Sequence, residues 1–138
     1  MIEVTELREV LKQRNAMLER ILEHTRKQPA LVEEEQTDRL LENIGQRQNM
    51  IDELVKLTED LPEESRRARD PECFALDRES HELYAKISEQ DKVNEQAAQK
   101  RLDDIKERLR ALRDGKTAFT AYEKVGGDPG ATYFDKKR

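Results

Sequence analysis

Tryptophan is absent from the 138-residue chain, and only six residues are aromatic. Packed β-sandwiches and α/β domains draw much of their cores from such side chains, so both classes are disfavoured. Five glycines and four prolines are too few for the turns of an all-β fold. Cys73 is the only cysteine, which excludes an internal disulfide and fits a reducing compartment. No apolar run approaches the ~18 residues of a membrane span. The start, Met1-Ile2-Glu3-Val4, lacks the basic and apolar segments of a signal peptide. Together these absences lead us to expect a soluble cytoplasmic protein.

Charge, by contrast, is abundant, at 41% of residues, while hydrophobic residues reach only 35%. The 26 basic and 31 acidic residues give a net charge of −5. That balance offers no general attraction to phosphate and argues against nucleic-acid and membrane-surface partners. At a mean hydropathy of −1.02 the rival to a folded chain is disorder, and periodicity decides against it. Val4, Leu7, Leu11, Leu18 and Ile21 share one helical face, widened by Val10, Met17 and Leu22 and interrupted by Arg14. Gln28-Pro29 predicts the end of this first helix, with a second starting at Pro29 or near Thr37. Its expected seam is Leu40, Leu41, Ile44, Ile51, Leu54, Val55 and Leu61, closed by Pro62.

Residues 62–69 form a polar connector. Asp70-Pro71-Glu72 then carries the clearest helix-start signal in the chain. The third helix holds two seams, Leu76, Leu83 and Ile87, then Leu102, Ile105, Leu109 and Leu112, and Gly115 is its expected cap. The fold class expected is all-α: an elongated antiparallel three-helix bundle with a long third helix and a flexible C-terminal tail. Residues 1–114 would be the bundle and 115–138 a Gly/aromatic tail carrying Phe119, Tyr122, Tyr133 and Phe134. Matching helix two step for step against helix three leaves Ile105, Leu109 and Leu112 beyond the hairpin, an exposed stripe of the kind that marks an interaction surface. The tail, a second copy or a foreign helix would cover it. The same counting sets Arg14, Arg47 or Gln48, and residues 88–94 at one height, as a polar layer that fixes register.

Sites of chemistry are hard to find. Neither His24 nor His81 has the glutamate three residues earlier that a di-iron bundle requires, and Ala85 stands where a zincin's second histidine would be. Cys73 lies in a helix's first turn, where a thiolate is favoured, but no partner constellation surrounds it. Arg66-Arg67-Ala68-Arg69 reads as a solvated loop. We expect no catalysis, no metal and no cofactor.

The helix-two segment Leu40-Leu41-Glu42-Asn43-Ile44-Gly45-Gln46-Arg47-Gln48-Asn49-Met50-Ile51-Asp52-Glu53-Leu54 resembles the R-Q-x-L/M-I-D-x-I/L stretch of flagellar export chaperones of the FliT/FlgN type. Gly115-Lys116, Ala121-Tyr122, a Gly-rich spacer and Tyr133-Phe134-Asp135-Lys136-Lys137-Arg138 resemble the ending of their Firmicute members, with Thr117, Phe119 and Tyr133 departing from that pattern. The resemblance implies a small cytoplasmic helical chaperone. Such a protein holds a late axial subunit, the filament cap or a hook–filament junction protein, unassembled until export. An export-apparatus component would be a further partner. Leu102, Ile105, Leu109 and Leu112 would wall a groove for an amphipathic helix. Phe119, Tyr122, Tyr133 and Phe134 would add contact surface or cover the groove as a pseudo-substrate. The rival readings are a homodimeric coiled-coil scaffold and a regulatory adaptor.

Overall fold

The computed structural model describes the backbone of residues 2–126 and the side chains of residues 2–116. Among the described residues the fold is all-α, with four helices: α1 (Val4–Glu33), α2 (Thr37–Thr58), α3 (Glu64–Arg67) and α4 (Pro71–Gly126). The chain divides into two compact units, Met1–Ala98 and Gln99–Arg138, and α4 contributes to both.

In the first unit the helices run up, down and up. Arg8 meets Asp70, Arg14 meets Asp77 and Thr25 meets Asn94, so α1 and α4 climb together. His24 meets Gln46 while Gln28 meets Asn43, so α2 descends against α1. The core comes in two apolar layers. Leu7, Leu11 and Cys73 form one, with Leu61 and Leu76 packed on it. Leu18, Ile21, Leu22, Leu54, Leu83 and Ile87 form the other, joined by Met17, Met50 and Ile51. The motif segment of α2 therefore serves this core through Met50, Ile51 and Leu54.

Asp70 caps α4 as expected: its Oδ2 accepts the Cys73 N–H at 3.0 Å, and Pro71 takes the first position. Proline 29 behaves differently. The expected stop at Gln28 does not occur, and α1 carries Pro29 inside it as far as Glu33. Proline has no N–H for the carbonyl four residues back, that of Thr25. Asn94 of α4 supplies the missing donor at 2.8 Å. Asn43 of α2 likewise donates to the His24 carbonyl at 3.1 Å. Two amides from neighbouring helices thus satisfy backbone next to the proline, which is why the helix survives it.

Helix α1 ends in a Schellman turn. Gln36 N–H reaches the Leu31 carbonyl and Glu35 N–H that of Val32. Glu35 occupies the left-handed position at φ 57°, where glycine is the usual residue. Helix α2 starts at the later of the two expected points and ends at Thr58, before Leu61. Within the polar connector lies the single-turn α3.

The expected seam of α2 is corrected by the structure. Of its members Leu54 is buried and Ile51 and Leu61 pack half-buried on the core, while Leu41, Ile44 and Val55 are exposed. Asn43 is buried instead, donating to His24's carbonyl, and half-buried Arg47 reaches Asp91 at the edge of the bundle. Gly115 does not end α4, which continues to Gly126. A lone glycine weakens a helix interior by ~1 kcal/mol but removes no hydrogen bond, and no proline follows before Pro129.

Candidate functional site

Polar groups pair at separate levels of the first unit, a buried one at Asp77 and a half-exposed one at Asp91, where one layer was expected. Arg14 sits level with Asp77, Arg47 with Asp91, and Gln48 bonds Asp52 on the surface of its own helix. The offset follows from parallel α1 and α4: Arg14 is near the lower end of α1 and meets the second turn of α4, whereas residues 90–94 meet the Thr25 level.

The Asp77 layer is the most buried charge cluster among the described residues. Its carboxylate receives Arg14 Nη1 at 2.9 Å and a two-pronged contact from Arg67, Nε and Nη2 each at 3.0 Å. Arg14 Nη2 and Asn15 Nδ2 both donate to the Leu76 carbonyl. Burial pushes the Asp77 pKa up, but hydrogen bonds from Arg67 and Arg14 outweigh it and hold the carboxyl below its ordinary value. The arrangement is saturated: every guanidinium nitrogen of Arg14 and Arg67 is engaged. It ties α1, the connector and α4 together and leaves no group aimed at a ligand. Arg67 therefore departs from the solvated loop expected of residues 66–69, while Arg66 and Arg69 stay exposed.

Cys73 is fully buried, and its thiol is pushed up to about 11, first by burial and then by the hydrogen bond and charge of Asp70. The helix N-terminus does not favour a thiolate here, because the sulfur is buried and the capping carboxylate stands beside it. Hydrogen bonds from Arg8 and the Cys73 N–H hold Asp70 itself low. His24 contacts Arg20 and Gln46, and exposed His81 pairs with Glu64. No group of three or more His, Cys, Asp or Glu that could hold a metal occurs among the described residues. No described helix is long and apolar enough to cross a membrane.

What stands out is apolar surface. In the second unit Leu102, Ile105, Leu109 and Leu112 are 44%, 40%, 57% and 69% exposed. They follow one another at steps of three, four and three along α4, so they line one face of that helix. The bundle's own exposed apolar residues are interrupted by comparison. Between Ile44 and Val55 on α2, Gln48 and Asp52 bond each other at 3.0 Å. An open groove of about 770 Å³ near the α1 start has Ile2, Val4 and Pro62 beside Arg66 and Arg69, with Asp60 and Asp70 offsetting the charge.

Of the residues predicted to bind a partner, the structure brings Leu102, Ile105, Leu109 and Leu112 together as one stripe. Phe119 and Tyr122 lie within α4, and their side chains are outside the described residues. Tyr133 and Phe134 lie wholly outside them. Comparison with protein-family models, curated proteins and solved structures finds no match.

Proposed function

We propose that the chain is a helix-holding chaperone, cytoplasmic and of the flagellar export type. Its cargo would be an amphipathic helical segment of a late axial subunit, a filament-cap or hook–filament junction protein. The observation that supports this reading is the exposed stripe Leu102, Ile105, Leu109 and Leu112. An apolar helix face left this exposed is what a helix-in-groove binder presents before its partner arrives. Cargo supplies the second side of the seam, and its own polymerising face is hidden while it is held. The likeness of residues 47–54 and of the tail to such chaperones selects the cargo class. A second reading rests on the same three-four-three spacing, which also suits a homodimeric coiled-coil scaffold. A regulatory contact with an export-apparatus component is compatible with the first.

The test is co-elution of the purified full chain with purified cap and junction subunits, together with light scattering of those subunits alone and with the chain. A stoichiometric complex and suppressed polymerisation are expected, and Leu109→Glu should abolish both. If neither subunit binds while the chain dimerises through the stripe, the scaffold reading replaces the chaperone.

A further inference from the structure

If the stripe is a docking face, as proposed above, the charges beside it specify what docks. With Leu102 and Leu109 at positions a of a heptad, Ile105 and Leu112 fall at d. The residues flanking that seam are then Arg101 and Arg108 at g, and Lys106 and Arg113 at e. All four are basic. The acids of the same stretch, Asp103, Asp104, Glu107 and Asp114, fall at b, c and f, away from the seam. Gln99, the uncharged residue at the preceding e position, donates to Asp103 at 3.0 Å. Residues 99–116 carry seven bases and four acids, whereas residues 1–98 carry 15 bases and 24 acids.

We infer that the partner of this face is an amphipathic helix whose own apolar seam is flanked by glutamate or aspartate. Flanking e and g charges set partner choice in helix pairs because they are brought opposite one another when the seam closes. A second copy of this chain is disfavoured by that same rule. Parallel pairing sets Arg101 against Lys106 and Arg108 against Arg113, and antiparallel pairing opposes g to g and e to e. Every arrangement places base against base. The chain's own residues 127–138 contain two acids and three bases and cannot supply an acidic border. A lipid surface calls for a wide apolar face, whereas this seam is the narrow two-in-seven stripe of a coiled coil. A helix with acidic borders matches the seam and sets acid, not base, opposite the basic flanks.

Two fluorescein-labelled helical peptides of three heptads serve as probes, both with leucine at a and d. One carries glutamate at every e and g, the other lysine. Anisotropy titrations use the full chain at low and high salt, and circular dichroism checks that each variant keeps its helix. The acidic probe should bind more tightly by at least about tenfold, and the gap should shrink at high salt. The fourfold variant Arg101→Glu, Lys106→Glu, Arg108→Glu, Arg113→Glu should reverse the preference, and glutamate keeps helix propensity comparable. Ile105→Ser with Leu109→Ser should lose the acidic probe altogether. Equal affinity for the two probes would overturn the charge-selected partner and leave the docking face standing. Binding of neither would remove both. Tighter binding to phosphatidylglycerol vesicles than to the acidic probe, or self-association through the stripe, would also overturn the proposal.

Discussion

Residues 1–98 and residues 99–116 are built from the same material, helix with apolar residues at heptad spacing, yet they treat that seam in opposite ways. In the first unit Leu7, Leu11, Leu18, Ile21, Leu22, Leu54, Leu83 and Ile87 are all buried, and Arg14, Asn43 and Asp77 inside it are hydrogen-bonded. In the second, four large aliphatic side chains stay 40% or more exposed, with bases on both flanks. The charge balance differs in the same sense, strongly acidic in one and basic in the other. Hydrophobic spacing alone therefore does not say whether a seam is core or docking face. The neighbours available to close it do.

The contrast can be broken most violently at Asp77. Asp77→Ala leaves Arg14 and Arg67 with no carboxylate in a buried layer, and should cost about 3 kcal/mol or more in urea denaturation. The same carboxyl gives a pH signature. In the unfolded chain an aspartate takes up its proton near ~3.9, whereas in the fold Asp77 holds out to lower pH. The unfolded state then binds more protons, so stability should decline as pH falls from the ordinary carboxylate range through the folded pKa. A shallower acid slope is expected in the alanine variant. At the other end, buried Cys73 keeps its proton to about 11 while an unfolded thiol loses it nearer 9, so stability should also fall as pH rises between them. Cys73→Ser should flatten that alkaline limb.

A paired truncation sharpens the comparison directly. Leu11, fully buried, should cost about 3 kcal/mol when changed to alanine, as core leucines do. Leu109→Ala should change stability by less than about 0.5 kcal/mol, because its side chain is already wet. Equal costs for the two would mean that the stripe is part of a core.

The proline in α1 allows a double-mutant cycle. Asn94→Ala strips the Thr25 carbonyl of its donor and should cost about 1–2 kcal/mol. In a Pro29→Ala background that carbonyl regains its own helical N–H, and the same substitution should cost clearly less. The smallest effect is a gain: Glu35→Gly relieves a left-handed backbone position and should add about 0.5–1 kcal/mol.

Much of the bundle was readable from residue order because its devices are local. The seam of α1 from Leu7 to Ile21, the Asp70-Pro71 start and the Leu83–Ile87 face all depend on spacings within one helix, while Val4, expected in that seam, is exposed. What failed depends on neighbours. Pro29 looked like a stop because the donors that satisfy Thr25 and His24 come from Asn94 and Asn43, 69 and 19 residues away along the chain. On α2, Leu41, Ile44 and Val55 looked like core because nothing local marks Asn43 as inward. Arg14 looked like part of one polar layer with residues 88–94 because its height relative to α4 depends on how the connector enters that helix. For the candidate site, the apolar stripe at 102–112 was legible from spacing, and the structure shows it exposed. Its basic flanks were also written in the sequence, but they acquire meaning only once the seam is seen to be open.

Hydrogen exchange on the full chain, alone and saturated with a purified cap or junction subunit, tests the central claim most directly. The account predicts that amides around 102–112 gain protection on binding while the core amides of α1 and the first half of α4 are unchanged. Protection confined to residues 1–98, with 102–112 exchanging as freely as before, would contradict it.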